Sequence, residues 1–134
     1  MDRIMDSFSR QGLMRSLGAT LSMAAEGNCI ITAPITGDVS QQHGVAHAGL
    51  TFALGDTAAG YAALSLMPEG REVMTSEMKI HLLRPASGVR LEARGRVLKP
   101  GKRLIVAQAD VFAIGPNGET HVATLIGTMV PVDP

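Results

Sequence analysis

His47-Ala48-Gly49-Leu50-Thr51-Phe52-Ala53-Leu54-Gly55-Asp56-Thr57-Ala58-Ala59-Gly60-Tyr61-Ala62-Ala63-Leu64-Ser65-Leu66-Met67 is the stretch whose reading decides the architecture. Ala and Leu dominate it and no β-branched run interrupts it, so one long helix is expected. Pro68-Glu69-Gly70 supplies its stop signal. The segment is apolar nearly all round, and a helix without a polar stripe has to be buried. The span Leu50 to Leu66 is broken by Asp56 and followed by Pro68, too short and too interrupted to cross a membrane.

On its C-terminal side the period changes from helical to alternating. Val73 to Leu83 sets Met74, Met78, Ile80 and Leu82 against Glu77, Lys79 and His81, and Arg84-Pro85 ends it. Val89 to Leu98 alternates in the same way. Lys99-Pro100-Gly101-Lys102 is a hairpin turn leading to Arg103–Ile114. Gly115-Pro116-Asn117-Gly118 then leads to Glu119–Val132. Consecutive strands joined by short turns make an antiparallel sheet, and its apolar face needs a cover that only the long helix can supply. On the N-terminal side, residues 20–36 read as a strand or a bent pair of strands, and residues 37–46 as a polar loop. Residues 2–17 read as one or two short helices, broken near Gly12 and ended by Gly18, lying across the rest. The expectation is one α+β domain over residues 1–134, a buried helix wrapped by an antiparallel sheet.

Composition narrows the chemistry. With 46% hydrophobic residues but only 3% aromatic ones, the core is built from Ala, Val, Leu, Ile and Met. Formal net charge is zero, so no global field favours nucleic acid or an anionic membrane, and neither is expected as a partner. The lone cysteine, Cys29, excludes an internal disulfide. Its strand-like surroundings suggest a buried, inert thiol. The N-terminus carries Asp2, Arg3, Asp6, Arg10 and Arg15 rather than a secretory leader's apolar run, and a cytoplasmic location is the expectation.

Asp56 is the anomaly. A carboxylate inside an apolar helix is costly unless it is paired. It is either a structural group held by a hydroxyl or a partner's amide, or a base whose pKa burial has raised. The helix start at His47-Ala48-Gly49 is a second resource, because free N–H groups there can polarise a carbonyl. Asp56 lies roughly 12–14 Å further along the axis. One helix cannot bring both to one bond, whereas two antiparallel helices in a dimer can. The small residues Ala58, Ala59, Gly60, Ala62 and Ala63 suggest where such a partner helix would approach, and Ala58, Ala59 and Ala62 with the scarcity of aromatics hint at room for an extended or bulky ligand chain.

Several motifs together resemble a known family. Gln41-Gln42-His43-Gly44-Val45-Ala46-His47-Ala48-Gly49, Leu54-Gly55-Asp56-Thr57-Ala58, Thr75-Ser76-Glu77-Met78-Lys79-Ile80 and Leu83-Arg84-Pro85-Ala86 are similar to those of the PaaI-like (phenylacetate-degradation type) hotdog-fold thioesterases. The likeness runs from about residue 38 to the C-terminus. It implies a hotdog fold, a homodimer or homotetramer with active sites shared between subunits, and hydrolysis of an acyl-CoA to a carboxylic acid and free CoA. Coenzyme A would be part of the substrate, with no cofactor and no metal. Asp56 matches the catalytic acid residue, base or nucleophile. Gln41 matches the amide near thioester and water. Ala48 matches the glycine whose N–H polarises the carbonyl. Thr75 matches the hydroxyl that orients water or carboxylate, in preference to Ser76 by its distance from Pro85. His47 and Gly49 flank the substrate. The pattern's His-Gly-Gly has become His47-Ala48-Gly49, which keeps the backbone donor if the methyl leaves room. A thiolate leaving group has a pKa near 8.5, so one carboxylate and one N–H can suffice.

The remaining candidates are weaker. His43, His47, His81 and His121 lack metal-site spacing; His47 reads as shaping the helix start, His81 and His121 as outward strand positions. Lys99, Gly101, Lys102 and Arg103, with Arg84 and Arg96 nearby in sequence, are either a solvated turn or a cradle for the CoA phosphates. Two other functions compete. A non-catalytic acyl-CoA-binding hotdog module would not need both Asp56 and Gln41. A hydratase would need a catalytic histidine matched to Asp56, and none is evident.

Overall fold

A computed structural model describes residues 2–134. Two short helices, α1 (Asp2–Ser9) and α2 (Gly12–Ser16), precede strands β1 (Thr20–Ala25) and β2 (Asn28–Pro34). A 3-10 turn at Gly37–Val39 leads to the long helix α3 (Ala48–Leu64). Strands β3 (Glu72–Leu82), β4 (Arg90–Lys99), β5 (Ile105–Gly115) and β6 (Gly118–Val132) follow. All six strands form one antiparallel sheet in the order β1-β2-β4-β5-β6-β3, with α3 across its concave face. This is the hotdog arrangement.

Residues 20–36 resolve into two strands rather than one. Glu26 and Gly27 both take positive φ, the geometry of a tight turn that matches strand twist, and the chain folds back there. Short-turn logic holds for β4–β5 and β5–β6 but not for β3–β4. β3 pairs with β6 at the sheet edge, and β4 inserts beside β2. The connection Leu83–Val89 therefore crosses over the start of α3, where Ala46 N–H donates to the Ala86 carbonyl and Ile35 N–H to that of Val89. That crossing builds a wall of the site.

The core lies between α3 and the sheet. Leu54, Ala58, Ala59, Ala62 and Ala63 of α3 meet Ile31, Leu91, Ala93, Leu125 and Met129, all fully buried. Small residues on both sides bring the helix close. A Cβ on Gly95 would stand 2.3 Å from the Ala58 carbonyl oxygen, so only glycine fits there. This corrects the reading of the helix's small-residue half. Ala58, Ala59, Ala62 and Ala63 face the protein's own sheet with no space left, neither a partner helix nor an acyl chain.

The uncovered face of α3 is instead Gly49, Phe52, Ala53, Asp56 and Thr57, spaced as one helical stripe. Beyond α3 the N-terminal segment is clamped down. Arg3 donates to the Leu64, Met67 and Pro68 carbonyls at 2.8, 2.6 and 2.7 Å, satisfying groups the helix end leaves open.

Candidate active site

Helix α3 starts because His47 caps it. Its backbone is extended, and its Nδ1 accepts from Gly49 N–H at 2.7 Å. Gly49 has to be glycine for this, since a Cβ there would sit 2.9 Å from that nitrogen. The capping role read for His47 is therefore seen. The Gly49 amide, by contrast, is consumed by the cap and is not free for substrate. Leu50 and Thr51 N–H both turn to the His47 carbonyl. Among the described residues no acceptor takes the Ala48 N–H, which is exposed at the first position of the helix.

That amide opens on a cavity of about 670 Å³. Gln41, His43 and His47 line one side of it; Leu83, Arg84, Pro85 and Ala86 of the β3–β4 connection line the other. The Gln41 Oε1 accepts from the His43 backbone N–H inside the loop, and its Nε2 donates to no described residue. Arg84 points its guanidinium at the His121 carbonyl, 2.9 Å away.

Asp56 lies in a different cavity, of about 360 Å³, with Thr57, Gly60, Tyr61, Val73, Thr75 and Gln11 in its wall. The Thr75 hydroxyl donates to Asp56 Oδ1 at 2.6 Å. Burial pushes the Asp56 carboxyl above its usual range, and the Thr75 hydrogen bond pulls it part of the way back. The choice between Thr75 and Ser76 is settled by a β-bulge. Ladder pairing slips between Thr75 and Glu77, which leaves Ser76 as the extra residue and aims Val73 and Thr75 at the helix. The same bulge overturns the simple alternation read for this strand: Met74 does not share a face with Met78 and is 61% exposed.

The four residues matched by motif thus fall into two pairs on one chain. Gln41 and Ala48 share the first cavity; Asp56 and Thr75 share the second. Lys99, Gly101, Lys102 and Arg103 form the exposed β4–β5 turn and line neither cavity. Gly101 has a packing reason of its own, the Leu104 carbonyl lying 2.3 Å from where a Cβ would be. Arg96 is removed from that turn's charge, reaching Gln108 Oε1 at 3.2 Å along the sheet. His121 stacks on Phe112 with ring centroids 4.8 Å apart, its Nε2 3.2 Å from Asp110. Cys29 is fully buried, and burial pushes its thiol up to about 12, the state of an inert side chain. Among the described residues, no three His, Cys, Asp or Glu side chains gather as metal ligands, and no helix is long and apolar enough to cross a membrane.

Two polar residues absent from the motif reading belong to the Asp56 cavity, Gln11 and Tyr61. Gln11 Nε2 donates to the Tyr61 hydroxyl at 2.8 Å, and Ser7 Oγ lies 2.9 Å from that hydroxyl. No sequence pattern ties a residue before β1 to a helix fifty positions on.

The sequence profile of the thioesterase superfamily matches residues 43–119, more than half of the chain and the whole of α3. The chain belongs to the thioesterase superfamily. The acyl-coenzyme A thioesterase PaaI of Escherichia coli (strain K12) is 29% identical over 105 residues, 78% of this chain and 73% of that protein. A crystal structure of a thioesterase family protein from Silicibacter pomeroyi superposes with a TM-score of 0.95 at 39% identity, over 98% of this chain and 97% of that one. The E. coli PaaI protein from the phenylacetic acid degradation operon gives 0.83 at 25% identity, over 96% and 89%. The chain spans between 55% and 73% of the length of the curated relatives it matches. It is a PaaI-like hotdog protein of a family of thioester and ester hydrolases.

Proposed function

We propose that this protein is a cytoplasmic acyl-CoA thioesterase whose active site is assembled from two subunits. One observation carries the reading: the free Ala48 N–H and Asp56, which Thr75 of β3 holds, lie on the uncovered side of one helix, about 12 Å apart along its axis. A second α3 packed antiparallel about a two-fold axis near Phe52 would set Ala48 of each subunit opposite Asp56 of the other. The apolar groups left exposed around that axis fit such a partner: Phe52 on α3, Met74 and Leu82 on the free edge strand β3, and Leu83 beyond it. An unpaired edge strand of eleven residues is itself a surface that a second copy can extend.

In the assembled site the Ala48 N–H polarises the thioester carbonyl and holds the oxyanion that develops on its oxygen. Gln41 Nε2 stands beside it as a second donor. Asp56 of the other subunit, oriented by Thr75, either takes a proton from water as hydroxide adds to the carbonyl carbon, or attacks that carbon itself to give an anhydride that water then opens. Collapse of the tetrahedral intermediate breaks the C–S bond and expels CoA thiolate, leaving the carboxylic acid directly in the first route and the Asp56 anhydride in the second, from which water releases the acid and regenerates the carboxylate. The phosphates lie outside the cavities, where Lys99, Lys102 and Arg103 form the basic turn.

The test is thiol release from short, medium, long and aromatic acyl-CoAs. The wild type should release CoA from at least one class. Asp56→Asn should lower kcat/KM roughly a hundred- to ten-thousand-fold. Binding without release from any of them would mark a ligand-binding module instead, and undiminished release by the variant would remove Asp56 from the chemistry.

A further inference from the structure

The cavity around Asp56 is closed by a part of the chain that lies outside the residues matched to the family. Gln11, between α1 and α2, reaches it from the N-terminal segment. That segment is held in register at two points. The Arg3 guanidinium clamps three carbonyls at the end of α3, and Ser7 and Gln11 both bond the Tyr61 hydroxyl, with Ser7 Oγ also 3.1 Å from Glu72 Oε2. Phe8 packs edge-on against the Tyr61 ring, centroids 6.3 Å apart. Gln11 is therefore a fixed wall rather than a loose side chain.

The cavity's charge decides which end of a thioester enters it. Among the described residues no cation lines it, Asp56 is in its wall, and Ser7 ties the Tyr61 hydroxyl to Glu72. A tetra-anionic CoA phosphate end is repelled from such a place, and an uncharged acyl group is not. Its volume of about 360 Å³ is near the lower end of small-molecule sites, which run from roughly 300 to 1,000 Å³.

Resting on the thioesterase reading, we propose that this cavity receives the acyl group and that Gln11, fixed by Tyr61, is the residue that limits acyl length. The polar amide in the cavity wall stops a growing alkyl chain both by bulk and by the cost of burying its hydrogen-bonding groups against methylenes.

The experiment compares butyryl-, octanoyl- and lauroyl-CoA as substrates of wild type, Gln11→Ala and Gln11→Met. In parallel, their binding is measured by calorimetry with Asp56→Asn and with Asp56→Asn carrying each Gln11 change. Shortening the wall should raise the lauroyl-to-butyryl ratio of kcat/KM, and of affinity, by about tenfold or more. Methionine, which keeps the bulk but removes the amide and the Tyr61 bond, should raise the ratio by clearly less than alanine does. A ratio that Gln11→Ala does not move, or that Met moves as far as Ala does, overturns the proposal. If no acyl-CoA is hydrolysed, the catalytic reading fails alone and the affinity ratios still decide the role of Gln11. If none binds, both fail.

Discussion

Asp56 carries opposing demands that can be separated by pH. Its folded-state pKa lies above the ordinary value of 3.8, because burial disfavours the charged form more than the Thr75 hydrogen bond favours it. The folded protein therefore holds that proton more tightly than the unfolded chain does. Stability contributed by the protonated group is present in acid and is lost as pH rises from the unfolded value through the raised folded one. Asp56→Asn keeps an oxygen for Thr75 and cannot ionise. Its Tm should exceed that of wild type at neutral pH, and the two should converge below pH 4, as thermal melts across pH would show. Activity runs the other way, because the base must be ionised. Thr75→Val removes the contact that favours the carboxylate, so the acid limb of the kcat/KM profile should move to higher pH; an unmoved limb would deny Thr75 that role. Asp56 was legible in the sequence as a charge without a polar face. Its link to Thr75 rather than Ser76 was legible only through a motif, since a bulge leaves no mark in residue spacing.

At the scale of elements, α3 and the sheet show what hydrophobic patterning can and cannot convey. The helix and the four strands after it follow from periodicity and turn residues, and the structure places them close to where the sequence does, whereas residues 20–36 read equally as one strand or two. Strand order does not follow, because nothing local says that β3 should leave β4 and pair with β6. That rearrangement puts Leu83–Ala86 beside the helix start and creates the first cavity. The small residues of α3 were equally ambiguous. They announce close approach without saying to what, and Gly95 on β4 is the answer. Gly95→Ala should destabilise the fold by roughly 1–3 kcal/mol, because the new methyl meets backbone that cannot yield, and denaturant unfolding would measure it. A variant as stable as wild type would mean the helix rides further from the sheet. The N-terminal segment reads as one or two short helices broken near Gly12, and there are two, yet its contribution to the Asp56 cavity was invisible, because Gln11 meets Tyr61 only after folding.

For the whole molecule, the proposed function makes the two cavities of one chain the two halves of a thioesterase centre. The Ala48 amide has no carboxylate near it along α3, and the Asp56 carboxylate has no carbonyl-polarising amide in its own cavity. The two-fold pairing proposed for the uncovered helix stripe would join each half to its complement. Ala48→Pro tests the first half cleanly. Proline is tolerated at the first helical position, the preceding His47 already has the extended backbone proline requires, and the substitution removes the N–H while keeping the helix start. Ala48→Pro and Asp56→Asn should each be inactive as homo-oligomers. The most direct measurement is thiol release after the two inactive variants are unfolded together in equal amounts and refolded. Sharing across subunits predicts recovery to about a quarter of the wild-type rate, since half of random dimers are mixed and each mixed dimer has one intact site. A mixture as inactive as its components would contradict the shared site.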